Sequence, residues 1–243
     1  MLHWVCGLAA AASLHAQNVS EQYLLAAANQ DRAAHGLPAV RVDAHLVLAA
    51  RDHAHAMASE GTISHRFAGE RDLATRAGEA GAHFSLITEN VAEASNAAKI
   101  HEMWMNSEGH RANLLDPNVD SVGIAVVQKD RQLYAVEDFG RTVRLLSLDQ
   151  QEAEVGGLLS AAGLRIANAK TEARQTCALS TGYAGLRQPW FVMRWTGSSL
   201  DRLPDELSAR LNTGKYREAE VGACVLGTQG PFTSYSLAVL LFP

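Results

Sequence analysis

The chain reads as α+β: a helix-rich unit closed by a β-hairpin, followed by a smaller α+β unit. Three observations predict this. Apolar residues recur at helical spacing through the first hundred positions. Two β-rich runs separated by a polar turn then close the first half. Beyond residue 155, three more β-rich runs alternate irregularly with helical segments, unlike the repeat of a parallel βαβ protein.

The bulk properties agree with a folded protein of this kind. Its 243 residues suit one large domain or two modest ones. A hydrophobic content of 47% excludes a disordered chain. A net charge of -5 without a long basic run gives no reason to expect a nucleic-acid partner. No apolar run reaches the roughly 18 residues needed to cross a bilayer, so no transmembrane segment is expected.

At the start, Trp4 to Leu14 is a short alanine-rich apolar block ending near His15-Ala16-Gln17. It has the apolar region and small-residue cleavage zone of a signal peptide, here residues 1–16, although only Met1, Leu2 and His3 precede it. A secreted or periplasmic location is the resulting expectation. Cleavage near Ala16 would remove Cys6 and leave Cys177 and Cys224. Two cysteines in an exported chain invite a disulfide; two buried free thiols are the alternative.

From Asn18 the elements follow in order. Ser20 is expected to cap a first helix carrying Leu24, Leu25 and Ala28, stopped by Gly36 and Pro38. Asp43 caps a second, in which Leu46, Ala50, Ala54 and Met57 recur until Gly61. A third runs from about Asn96 to Asn106, with Ile100 and Met103/Trp104 on one side. Val122–Val127 and Leu133–Phe139 are strands joined by a turn over Gln128 to Gln132. Arg141 to Glu154 reads as a connector. After it, Val155–Leu164 and Asp201–Leu211 read as helices, and 190–195, 220–226 and 235–242 as strands. Leu115 to Val127 and Leu211 to Leu226 both place a Val-Gly pair at the head of a strand after a polar turn. A degenerate copy of the first hairpin and generic hairpin chemistry both account for that echo.

Chemistry-bearing residues gather in three segments: Ser64-His65, Glu89-Asn90, and Trp104-Met-Asn-Ser-Glu-Gly-His110-Arg-Ala-Asn-Leu-Leu115. Ser107 is placed to cap a short helix over 108–115, which Asp116-Pro117 stops. His110 lies three residues on, so a Ser107–His110–Glu89 relay is one arrangement, though no nucleophile elbow or oxyanion hole is marked. His65, His110 and Glu89 also form a His₂Glu set able to hold Zn²⁺ with one position left for water, as a hydrolase would require. No HExxH pair exists, since Met105 breaks the pattern begun by His101-Glu102. A purely structural cluster, Glu89 locking both imidazoles, is the third reading. His53, on the apolar stripe of the second helix, is expected to be a hydrogen-bonded core imidazole. His55, His83 and His101 are expected at surface or packing positions.

These segments, in this order, resemble the CAP superfamily (cysteine-rich secretory proteins, antigen 5 and pathogenesis-related 1 proteins), and more nearly its bacterial SCP-like extracellular branch. Ser64-His65 is similar to the family's first histidine motif, and Arg76 to Gly81 to its Arg-x-x-x-x-Gly spacer. Glu89-Asn90-Val91-Ala92 resembles Gly-Glu-Asn-Ile-Ala, with Thr88 in place of the glycine. Trp104 to Leu115 resembles the bacterial Trp-Met-x-Ser-x-x-His-Arg-x-Asn-Ile-Leu signature. Val122-Gly123-Ile124 and Tyr134 to Gly140 resemble the closing hairpin, with Glu137 in place of a common glutamine.

The resemblance implies a CAP-type α-β-α sandwich over residues 18–141, followed by an α+β domain of no recognised family over 155–243. It implies a cleft containing His65, Glu89, Ser107 and His110, in which His65, His110 and Glu89 are the candidate zinc ligands, with no cofactor required. Ser107 falls where some relatives carry a second glutamate, which leaves a less acidic site. Asn90, Trp104, Arg111 and Asn113 are the motif residues expected to support it. The implied role is that of an exported, non-enzymatic protein binding an extracellular ligand, lipid or protein. A metal-dependent hydrolase or peptidase using His65, His110 and Glu89 is the alternative.

Overall fold

A capping box at Asn18 opens α1 (Val19–Ala34): the Asn18 side chain accepts from the Glu21 N–H, and the Glu21 carboxylate from the Asn18 N–H. Ser20, the expected cap, lies inside the first turn instead. Three positions after Ser20 stands Tyr23, which cannot reciprocate, whereas three after Asn18 stands Glu21. The computed structural model describes residues 17–167, 170–225 and 230–243. The expected leader, residues 1–16, lies outside the described residues.

The helix ends with Gly36 at a φ of 71° and the Leu37 N–H returning to the Arg32 carbonyl. A two-residue strand, β1 (Arg41–Val42), leads to α2 (Ala44–Glu60). Asp43 caps α2 through the His45 and Leu46 N–H groups, and left-handed Gly61 ends it. Then follow α3 (Leu73–Glu79), β2 (Phe84–Ala94), α4 (Ala97–Asn106), α5 (Glu108–Leu114), β3 (Ser121–Lys129) and β4 (Gln132–Thr142). The four strands lie in the order β1-β3-β4-β2, which puts β2 at an edge. The hairpin turn is tighter than expected, just Asp130 and Arg131. Helix α2 lays Ala50, Ala54, Met57 and Ala58 against Val91, Ala125, Tyr134 and Val136. That approach needs a glycine beneath it: a Cβ on Gly123 would stand 2.1 Å from the Leu46 carbonyl carbon. Arg32 is fully buried, and its guanidinium donates to the carbonyls of Pro38, Leu114 and Asp116.

The remainder comprises α6 (Leu148–Ala161), β5 (Arg165–Ile166), α7 (Thr171–Ala178), β6 (Phe191–Gly197), α8 (Asp205–Leu211), β7 (Glu218–Cys224) and β8 (Tyr235–Phe242). Here α6 begins seven residues before the expected Val155, because Ser147 and Gln150 form a second capping box. The supposed connector therefore holds half a helix. Helix α8 begins after Pro204 rather than at Asp201. The second sheet has the order β5-β7-β8-β6, with β5 parallel to β7 and the other pairs antiparallel. One face packs Val155, Leu159 and Leu207 on Val221, Leu237, Val239 and Leu241. The other carries Ala173 of α7 on Leu240 and Phe242. Cys177 and Cys224 are joined by a disulfide that ties α7 to β7, with Cα atoms 5.8 Å apart.

Contacts group the chain into two bodies. Among the described residues, one comprises those up to Ala68 with Glu89–Pro117 and Val122–Phe139; the other comprises those of Gly69–Thr88, Asn118–Ser121 and Gly140–Pro243. No helix among the described residues is long and apolar enough to cross a membrane.

Candidate functional site

The middle of β2 supplies the buried acid of the site. Glu89 is only 3% exposed in its side chain, and its Oε1 lies 2.9 Å from Nδ1 of His65. His65 sits in the loop after α2, and its side chain is 63% exposed. A carboxylate accepts only, so the His65 ring carries its proton on Nδ1 toward Glu89. His53 of α2 completes the floor. It is fully buried, as expected for a core imidazole, and its Nε2–H donates to the Ser64 carbonyl at 2.7 Å. This bond fixes the backbone immediately before His65. The other Glu89 oxygen stands 3.8 Å from the same nitrogen, an ion-pair distance rather than a hydrogen bond.

The segment over 104–115 is fastened to β2 by amides. Asn90 Nδ2 donates to the His110 carbonyl at 3.1 Å. Asn113 Nδ2 donates to Asn90 Oδ1 at 2.9 Å and to the Glu89 carbonyl at 3.2 Å. Trp104, completely buried in α4, donates its indole N–H to the Val91 carbonyl. Arg111 is exposed and reaches back to the Met105 carbonyl, closing the break between α4 and α5. Asn90, Trp104 and Asn113 thus set the position of His110 relative to Glu89. Burial, and then the neighbouring His65 imidazole, hold the His110 pKa below the ordinary histidine value. The ring is therefore neutral at neutral pH.

One expectation is corrected. Ser107 occupies the N-cap position of α5, but its hydroxyl makes no capping bond, and none to any other group among the described residues. Among the described residues no three His, Cys, Asp or Glu side chains are grouped to hold a metal ion. Glu89 instead turns one oxygen to the Nδ1 of His65. The donors His65, Glu89 and His110 do not fit the three-ligand arrangement of a catalytic zinc site.

One buried carboxyl beside the site was missed. Glu137 of β4 is fully buried beside the Asn90 amide, with no well-formed hydrogen bond to either oxygen. Burial pushes its pKa up to about 8, against a smaller opposite pull from Asn90. It is a protonated acid at neutral pH. The only signal in the sequence was its replacement of a glutamine, a neutral residue of the same shape. His101 takes the packing alternative: it is buried and pairs with Asp31 of α1 at 2.7 Å.

Known proteins resemble this half of the chain. The profile of the cysteine-rich secretory protein family, CAP, matches residues 25–139. The uncharacterized protein YkwD of Bacillus subtilis (strain 168) is 27% identical over 109 residues, 44% of this chain and 42% of that protein. The chain thus spans less than half the length of that relative. Among solved structures, an extracellular protein containing a SCP domain from Bacillus anthracis str. Ames is 28% identical, with a TM-score of 0.48 over 51% of this chain and 40% of the other. An outer surface protein from Borrelia burgdorferi is 21% identical, with a TM-score of 0.48 over 51% of this chain and 92% of the other.

Proposed function

The chain belongs to the CAP superfamily through residues 25–139, and from that premise we propose that it is an exported protein whose His65/Glu89/His110 cleft binds an extracellular ligand without transforming it. The observation that carries this reading is the Glu89–His65 pair. A buried carboxylate holds an exposed imidazole by one nitrogen, so the ring is oriented before any ligand arrives. His110, kept neutral, adds a second uncharged imidazole. With Glu137 protonated, the acids near the cleft contribute one formal charge rather than two. Such a wall favours neutral, hydrogen-bonding ligands over strongly ionic ones.

Catalysis gains no comparable support. The Ser107 hydroxyl has no base hydrogen-bonded to it, and a nucleophile needs one. Export is supported by the apolar, small-residue N-terminal block and by the disulfide between Cys177 and Cys224.

Purification of the full chain from its own host, wild type beside His65→Ala/His110→Ala, tests the reading. Solvent extraction and mass spectrometry should recover a compound from the wild type that the double variant lacks. Equal recovery from both, or turnover of the recovered compound by the wild type, would contradict it.

A further inference from the structure

The second sheet is built on the plan of the first. Seven elements run in the same order, helix-strand-helix-strand-helix-strand-strand, with α3 and α5 as the additions in the first half. Strand orders correspond one to one, β1-β3-β4-β2 and β5-β7-β8-β6, and each begins with a two-residue strand. Both first helices open with a capping box and end at a Gly-Leu pair, Gly36-Leu37 and Gly163-Leu164, with the glycine at positive φ. From each first helix a buried glutamate accepts a backbone N–H of the third strand: Glu21 from Val126 and Glu152 from Ala223. Beneath each second helix lies a glycine, and a Cβ on Gly222 would stand 2.1 Å from the Ala173 carbonyl carbon, as one on Gly123 would from Leu46. The shared Val-Gly pairs therefore mark a repeat of the whole layout.

That correspondence locates a counterpart of the cleft. In the first half, Glu89 on the edge strand β2 holds the loop that follows α2. In the second, Arg194 on the edge strand β6, in one row with Ala238 and Gly222, holds the last turn of α7 and the loop that follows it. Its Nε donates to the Thr176 carbonyl at 2.6 Å and its Nη2 to the Gly182 carbonyl. Its Nη1 has no hydrogen bond among the described residues. A cavity of about 360 Å³ opens there, lined by Leu179, Ser180, Arg194, Thr196, Ser236 and the disulfide-bonded Cys177. No acidic side chain among the described residues lines it.

We infer that this cavity is a second ligand cleft of inverted charge, an arginine standing where the first has a glutamate, and that it takes a small hydroxylated carboxylate. Nη1 of Arg194 is left to donate to a carboxylate oxygen, and the Ser180 hydroxyl, with the Thr196 and Ser236 hydroxyls that pair at 3.3 Å, presents polar groups to a polyol. The volume suits a molecule of monosaccharide size. The site is independent of the His65 cleft.

Titration of the full chain with D-glucuronate, followed by ¹H–¹⁵N NMR, tests this, with D-glucose as the uncharged control. Saturable shifts are expected at residues 178–182 and 194–196, and none with D-glucose. Arg194→Gln should abolish them, but it also loosens the end of α7. Ser180→Asp is therefore the decisive variant: the site is exposed, and a carboxylate at the rim should weaken binding about tenfold or more. His65→Ala should bind as the wild type does. The inference is overturned by the absence of saturable shifts at roughly millimolar ligand, by equal binding of D-glucose, or by an unaffected Ser180→Asp.

Discussion

Oε1 of Glu89 lies 2.9 Å from Nδ1 of His65, with the acid almost wholly buried and the imidazole mostly exposed. The two ends of one hydrogen bond thus belong to different environments, strand interior and solvent. The strand does the positioning, and the loop after α2 carries the consequence. Because His53 pins the carbonyl of Ser64, the loop is held twice, once by backbone and once by side chain.

Replacing Glu89 by leucine should therefore cost about 2 kcal/mol of unfolding free energy, since the His65 Nδ1–H loses its buried acceptor. Glu89→Gln keeps an oxygen that accepts from Nδ1–H and should cost less than half as much. Urea unfolding of the two variants distinguishes them; equal losses would show that the hydrogen bond itself contributes little.

Glu137 gives the protein a pH dependence of definite sign. Its carboxyl ionises at an ordinary 4.5 in the unfolded chain and at about 8 in the folded one. The stabilisation from holding the proton is complete below about pH 4.5, fades as pH rises, and is gone above about pH 8. Across that window stability should fall by roughly 1 kcal/mol per pH unit from this group. Glu137→Gln should remove the slope and leave the variant more stable than wild type at pH 7.5. Denaturant unfolding at three pH values checks both statements.

Gly123→Ala and Gly222→Ala should each destabilise by roughly 3 kcal/mol or more, because the added methyl meets helix backbone, which cannot rotate away. Alanine at Gly157, where a Cβ meets nothing within 4 Å, is the control and should be neutral or mildly stabilising. Thermal unfolding of the three variants is the measurement.

The disulfide spans a sequence separation of 47 residues. Loop-closure entropy predicts about 4 kcal/mol of stabilisation from it. Cys177→Ser/Cys224→Ser should lose an amount of this order, and reductant should lower the wild-type melting temperature without affecting the variant.

Legibility from sequence followed how local each determinant is. Asp43 and Gly61 bound α2 as expected, since cap and stop chemistry act within four residues. The hairpin strands around Gly123 and Val136 were equally plain. Strand β2 was not foreseen: its interior carries Thr88, Glu89 and Asn90, polar residues that no alternation rule assigns to a strand. Glu89 and Asn90 are tolerated because tertiary partners (His65, His110 and Asn113) satisfy them, whereas the Thr88 hydroxyl is buried with no hydrogen-bond partner among the described residues. Helix α7 has eight residues and no side-chain cap, so nothing local announced it. The resemblance placed Glu89 and His65 in one cleft, and a hydrogen bond between them belonged to one of three readings that the residues left open. The burial of Glu137 depended on β4's neighbours, and Ser107's idle hydroxyl on a cap bond that does not form.

Zinc titration calorimetry on the full-length protein, wild type beside His65→Ala, tests the central claim most directly. A cleft in which Glu89 is engaged by imidazole, and no three ligands converge, should show no stoichiometric zinc binding tighter than about 1 μM, and identical traces for both proteins. One equivalent of zinc bound tightly by the wild type and lost in His65→Ala would contradict it.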